Sequence, residues 1–241
     1  MELTLIQFLT GLFSLILAVV SIYVGLYIAS RYRKHNNKIL LYLGLAWCGL
    51  FNGWWPSAIS FILILTTGNP LPMILYFIIG NTTVPWFLFL FITAVTELLY
   101  KEKQKIILLF FFIYAVAFDV VLYYYMFTDP SKIGYLQGPV DVRYAGLFSL
   151  LLVGVLIFAT IGGVLFALES LKSDEPESKL RGKFILYSFL VWGFGSIMDA
   201  IIELTVITLP IIRILLISST VAVYFGILMP DYIKKIFLKS E

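Results

Sequence analysis

The sequence predicts an all-α membrane protein: one domain, residues 1–241, built as a bundle of seven transmembrane helices. Three observations carry this. The chain is 61% hydrophobic and only 13% charged, and no water-soluble fold buries so much apolar surface, so lipid is its solvent. Apolar runs fall at about 4–30, 39–66, 71–99, 106–127, 144–171, 184–208 and 210–233. Each is long enough to cross roughly 30 Å of hydrocarbon at about 1.5 Å per residue. The basic residues, finally, are confined almost wholly to alternate loops.

The first run reads as a span and not as a cleaved signal. It has no basic leader, it is too long, and a basic loop follows it directly. Alternating polarity is absent throughout, which argues against a β-barrel.

Loop charge sets the expected orientation. Arg31, Arg33, Lys34 and Lys38 lie on one side, with Lys101, Lys103 and Lys105. The same side holds Lys172, Lys179, Arg181 and Lys183, then Lys234, Lys235 and Lys239. Those are 14 of the 17 Lys and Arg; the other side has only Lys132, Arg143 and Arg213. The positive-inside rule puts the N-terminus outside and the C-terminus in the cytoplasm, as expected of a multi-pass protein of the cell membrane.

The connections differ in kind. Residues 67–70 (TGNP) and 208–210 (TLP) read as tight turns, and 170–183 as a polar cytoplasmic loop. Residues 128–143 form the one substantial external loop, with Asp-Pro and Gly-Pro pairs marking turns. It either folds over the external mouth of the bundle or is a plain connector.

Lys38, Tyr42 and Trp47 recur as Lys183, Tyr187 and Trp192, and Leu71-Pro72 with Thr82 recurs as Leu209-Pro210 with Thr220. Spans two and three thus echo spans six and seven, which suggests a parallel 3+1+3 repeat about an axis along the membrane normal.

Against this apolar background the polar residues stand out. Counted from the cytoplasmic lysines at about 1.5 Å per residue, Asn52, Asn81, Asp119, Asp199, Glu203 and Arg213 all fall in the outer third or at the outer interface. Trp54, Pro56, Pro85 and Trp86 share that depth, and Trp192 lies below it. Ionisable groups at such depth are costly and mark functional sites. The expected site is an outward pocket between helices, walled by Trp54 or Trp55 and floored near Trp192. Asp199 and Glu203, four residues apart, share one helix face with Trp192 and Gly195. Structural roles compete. Glu203 and Arg213 can pair at the interface, a Tyr hydroxyl can satisfy Asp119, and Asn52 and Asn81 can bond between helices.

Other chemistries find no support. Cys48 and His35 are the sole residues of their kinds, which excludes an intrachain disulfide and a Cys- or His-rich metal site. No Walker A, HExxH, GxSxG or DxxD-type pattern is present. No cofactor and no nucleic-acid partner is expected.

Seven spans with an external N-terminus resemble the microbial rhodopsins in layout. Those bind retinal through a lysine midway along the last helix, where this chain has Ser218, Ser219 and Thr220. Covalent retinal is therefore not expected. The tail from Tyr224 to Phe237, with Gly226, Pro230 and then Lys234-Lys235, is similar to the exit of the seven-helix input domains that precede sensory histidine kinases. That resemblance implies a sensor whose output a cytoplasmic signalling partner supplies, because the sequence ends at Glu241. The 3+1+3 layout also resembles the SWEET sugar transporters, but of their prolines in helices 1, 2, 5 and 6 only Pro56 in helix 2 has a counterpart here.

The leading expectation is a non-enzymatic sensor or receptor-like module that takes a small-molecule ligand. The alternatives are a small-solute transporter using an intramembrane carboxylate and a membrane enzyme without a recognisable motif.

Overall fold

The structure is a computed structural model that describes residues 2–238. Met1, Lys239 of the basic set, and Glu241 lie outside the described residues. Seven helical spans are long and apolar enough to cross a membrane.

The first span is α1 (Leu5–His35). Its start is fixed reciprocally: the Thr4 hydroxyl accepts from the Gln7 amide, and the Thr4 amide donates to Gln7 Oε1. The second and third spans are each broken in two. Helices α2 (Lys38–Leu50) and α3 (Trp55–Thr67) are separated by a single 3-10 turn at Asn52–Trp54. Helices α4 (Met73–Asn81) and α5 (Val84–Leu99) meet at Thr82 and Thr83. In both spans a proline, Pro56 or Pro85, opens the second segment. It lacks an N–H, so the helical ladder cannot run through it, and the first turn is where that loss costs least.

Helix α6 (Gln104–Thr128) leads into a hairpin of β1 (Gly134–Leu136) and β2 (Val142–Tyr144), with Tyr135 opposite Arg143. Then follow α7 (Gly146–Leu171), α8 (Pro176–Ile201), α9 (Thr208–Leu228) and the short α10 (Asp231–Phe237).

Two expected boundaries are corrected. The sixth helix runs from Pro176 to Ile201 rather than 184–208, and the seventh starts at Thr208 and stops at Leu228. Residues 202–207 make the turn, not 208–210. Pro210 sits inside the first turn of α9, where its missing N–H is not needed. At the far end Met229 takes a left-handed φ of 43°, and Pro230 follows to stop the helix.

Six spans form a ring. α1 packs on α2 and α9, α2 on α5, α5 on α7, α7 on α8, and α8 on α9. Helix α6 lies outside the ring against α5 and exposes Ile106, Leu109, Phe112, Ile113 and Val120, a surface suited to lipid. Close approach of α7 and α8 depends on absent side chains. A Cβ on Gly163 would sit 2.0 Å from the Phe189 ring, and one on Gly193 would sit 2.4 Å from Thr160 Oγ1.

The ring is plugged by aromatic side chains. Trp47, Phe51, Phe91, Phe189 and Trp192 are all buried. Their ring centroids lie 5.4 Å apart for Trp47–Phe189, 5.0 Å for Phe91–Phe189 and 6.3 Å for Phe51–Trp192. The opposite end from the basic loops is covered by the hairpin. Val140 is buried with Phe61 and Ile64, and Ser60 Oγ donates to the Pro139 carbonyl at 2.5 Å. The 128–143 segment is thus a cap seated on the bundle.

Candidate ligand cavity

Beneath the hairpin lies a cavity of about 150 Å³, lined from α2, α3, α4, α5, α7, α8, α9 and β2. Its polar wall follows from helical spacing. On α8 the buried stripe Ser188, Trp192 and Ser196 leads to Asp199. On α9 the buried stripe Leu209, Arg213, Leu216 and Thr220 includes the arginine. The 3-10 turn between α2 and α3 delivers Trp54 to the same level.

These three side chains form one unit across three spans. Arg213 Nη2 lies 3.1 Å from Asp199 Oδ1, with the arginine side chain 2% exposed and the aspartate 14%. Trp54 Nε1 donates to Asp199 Oδ2 at 2.9 Å. The guanidinium carbon stands 5.4 Å from the Trp54 ring centroid, so its charge also meets the π face. A carboxylate at a helix centre costs roughly 2.5–3.5 kcal/mol on insertion scales and less toward the interface, and pairing offsets that cost.

The pairing is incomplete. The Arg213–Asp199 contact is an ion pair without an aligned N–H at Oδ1, and Arg213 Nε and Nη1 are buried with no partner. Ser196 Oγ is likewise buried and unpartnered, while Asn81 and Tyr144 Oη stand close enough to bond each other; all three residues also line the cavity. Unmet donors and acceptors converging on one space are uncommon in folded proteins, and each needs a reason.

The cap adds a second carboxyl. Asp141 in the hairpin lines the cavity. Burial pushes its carboxyl up to about 6, while Arg213 pulls it down and Asp199 pushes it up. The nearby Tyr144 phenol is driven well above its ordinary range by burial and stays protonated.

Of the residues singled out in the sequence, Asp199, Arg213, Trp54 and Asn81 line the cavity together. Trp192 lies two turns below Asp199 on α8, in the aromatic plug, and does not line it. Asn52 is fully buried, and its Nδ2 donates to Thr83 Oγ1 at 2.8 Å, tying the two helix breaks together. Two residues lie elsewhere. Glu203 is exposed in the 202–207 turn and does not meet Arg213, because α8 ends before the face it would have shared. Asp119 sits at the α5–α6 contact, where Trp86 Nε1 donates to it at 2.7 Å. The tryptophan takes the place expected of a tyrosine: Tyr123, one turn further along α6, is engaged with Thr82 instead, at 3.1 Å.

Asp141, Tyr144 and Ser196 were not among the expected site residues. The alternation Val140-Asp141-Val142-Arg143 after a Gly-Pro turn was the available signal for a short strand carrying Asp141. Nothing in the sequence marks Ser196 beyond its place on the Trp192–Asp199 stripe. Among the described residues no three His, Cys, Asp or Glu side chains gather as metal ligands. No protein-family model matches this chain, and no curated protein matches it.

Proposed function

We propose that the chain is a receptor-like membrane sensor that holds a small polar ligand in the cavity under the hairpin and passes its occupancy to a separate cytoplasmic partner. The observation that carries this is the set of unpartnered buried groups on Arg213 and Ser196, beside the Asn81 and Tyr144 polar groups, around one space. A comparable apolar cavity of about 150 Å³ accommodates a ligand the size of benzene, so the ligand has on the order of six to eight non-hydrogen atoms. It carries both acceptors, for Arg213, and donors, for Asn81 and the carboxylates.

The orientation is N-terminus outside, which puts the hairpin end outermost; the support is the segregation of basic loops to the other end. The aromatic plug below Asp199 favours access from one face only. The order of the ring supports an internal duplication: exchanging spans one, two and three with five, six and seven preserves every neighbour. The tail after α9 supports a signalling exit toward a partner, as in the input domains it resembles.

One observation favours a carrier instead. Spans two and three are interrupted at the depth of the cavity, and discontinuous helices of that kind build substrate sites in many transporters. Proteoliposomes separate the two readings. Small amino acids and hydroxy acids of about eight or fewer non-hydrogen atoms are first screened for those that raise the melting temperature, and each stabilising solute is then tested for uptake. The sensor reading expects stabilisation without accumulation. Saturable uptake that is lost in Arg213→Met would replace it with the carrier.

A further inference from the structure

A second cavity lies at the opposite end, on the outer surface of the ring between α8 and α9. It is an open groove of about 870 Å³, lined mainly by apolar side chains including Phe184, Tyr187 and Phe225, and bounded at its inner end by Phe237 of α10. Lys179 and Lys183 stand along its mouth.

From Pro176 to Tyr187 is 11 residues of continuous helix, which is about 16 Å at 1.5 Å per residue. The four residues from Lys183 to Tyr187 cover about 6 Å of this, so the groove matches a headgroup and the first part of one chain. At the deep end the Tyr187 hydroxyl meets Ser218 Oγ at 2.9 Å, which links α8 to α9 there.

The charge at the mouth is not neutralised by the protein. Glu177 is shared by Arg181, at 2.7 Å, and Lys234, at 2.9 Å. Lys179 and Lys183 make no ion pair among the described residues, and both are exposed. Four residues apart on one helix, they present two cations side by side. The surrounding basic residues therefore divide into a set held by Glu177 and a set left facing the groove.

We propose that this groove seats one anionic phospholipid, its phosphate between Lys179 and Lys183 and one chain against Phe184, Tyr187 and Phe225. Basic recesses between transmembrane helices are suited to acidic headgroups, and each lysine near the surface adds to the attraction. The site is independent of the ligand cavity, and its lipid contacts α10, the segment that leaves the bundle. A neutral lipid would fill the groove equally well but would leave both lysines without a counter-charge.

Native mass spectrometry of the full chain tests this, with phosphatidylglycerol and phosphatidylcholine added in equal amounts. The wild type is expected to retain phosphatidylglycerol at least tenfold over phosphatidylcholine. Lys179→Gln with Lys183→Gln should bring the two to parity, while Lys103→Gln with Lys105→Gln should not. Val221→Trp, at a lining position on the lipid side, should reduce retention of both lipids. Equal retention by the wild type would overturn the proposal. So would a preference that survives loss of Lys179 and Lys183, lipid binding unchanged by Val221→Trp, or a second copy of the chain in place of lipid.

Discussion

Arg213 on α9 stands 3.1 Å from Asp199 on α8, and the aspartate's other oxygen accepts from Trp54. The pair closes the sixth and seventh spans over a site that leaves two guanidinium nitrogens unmet. Asp199→Asn or Arg213→Met alone should destabilise by about 3–5 kcal/mol, because each strands a buried charge. The double variant should cost clearly less than the sum. Glu203→Gln should change stability by no more than about 0.5 kcal/mol, as expected for an exposed site. A double-mutant cycle by unfolding in detergent checks all four. Strict additivity would mean that Asp199 and Arg213 do not interact.

Trp86 and Asp119 repeat the tryptophan–carboxylate theme away from the cavity. Asp119→Leu should cost about 1–3 kcal/mol by orphaning the indole N–H, and Trp86→Phe at least as much by leaving the carboxyl without its donor. Neither should alter stabilisation by a ligand that Arg213→Met abolishes. A loss of ligand response in Asp119→Leu at unchanged fold would bring Asp119 into the site.

Asp141 gives the cap a pH dependence. Its carboxyl is raised from an ordinary value of 3.8 to about 6 in the folded chain. The folded state therefore holds the proton more tightly than the unfolded state. The stability contributed is full below pH 3.8 and is lost as pH rises through about 6. Asp141→Asn should flatten that loss and raise the melting temperature at pH 8, with about 1 kcal/mol corresponding to roughly 2–4 °C in a chain of this size. A wild type equally stable at pH 5 and pH 8, or a variant that keeps the full difference, would contradict the assignment.

Topology is testable without a ligand. A reporter fused after Glu241 should lie in the cytoplasm, and a tag at Ser131 should be reached from outside intact cells. The reverse result would turn the cavity to the cytoplasmic face.

The sequence made the spans legible because apolar length and loop charge are properties of the chain alone. The two helix breaks were not read, since 39–66 and 71–99 look like unbroken spans; Pro56 and Pro85, with a missing N–H that no packing restores, were the signal for them. Asp199 was legible as a deep carboxylate. Arg213 was within reach of both Asp199 and Glu203 by its place after the turn, but its choice of Asp199 and the Trp54 contact depend on the folding of three spans together. Glu203 was misplaced because Ile201, Ile202, Leu204 and Val206 read as more helix, whereas the chain turns there and exposes them, apart from the half-buried Leu204. Asp141 was hidden because its role depends on the hairpin docking onto Ser60 and Phe61, contacts far away in sequence.

The central claim is that the cavity opens to the outer face and not to the cytoplasm. Ser196 is buried, lines the cavity and leaves its hydroxyl free. Ser196→Cys in a Cys48→Ser background gives one thiol at that point. Vesicles of either orientation are treated with a small, charged, membrane-impermeant methanethiosulfonate, and total thiol is read after unfolding. Labelling from the outer face alone is the result expected. Labelling from the cytoplasmic face, or none from either side in a folded variant whose thiol reacts once unfolded, would contradict it.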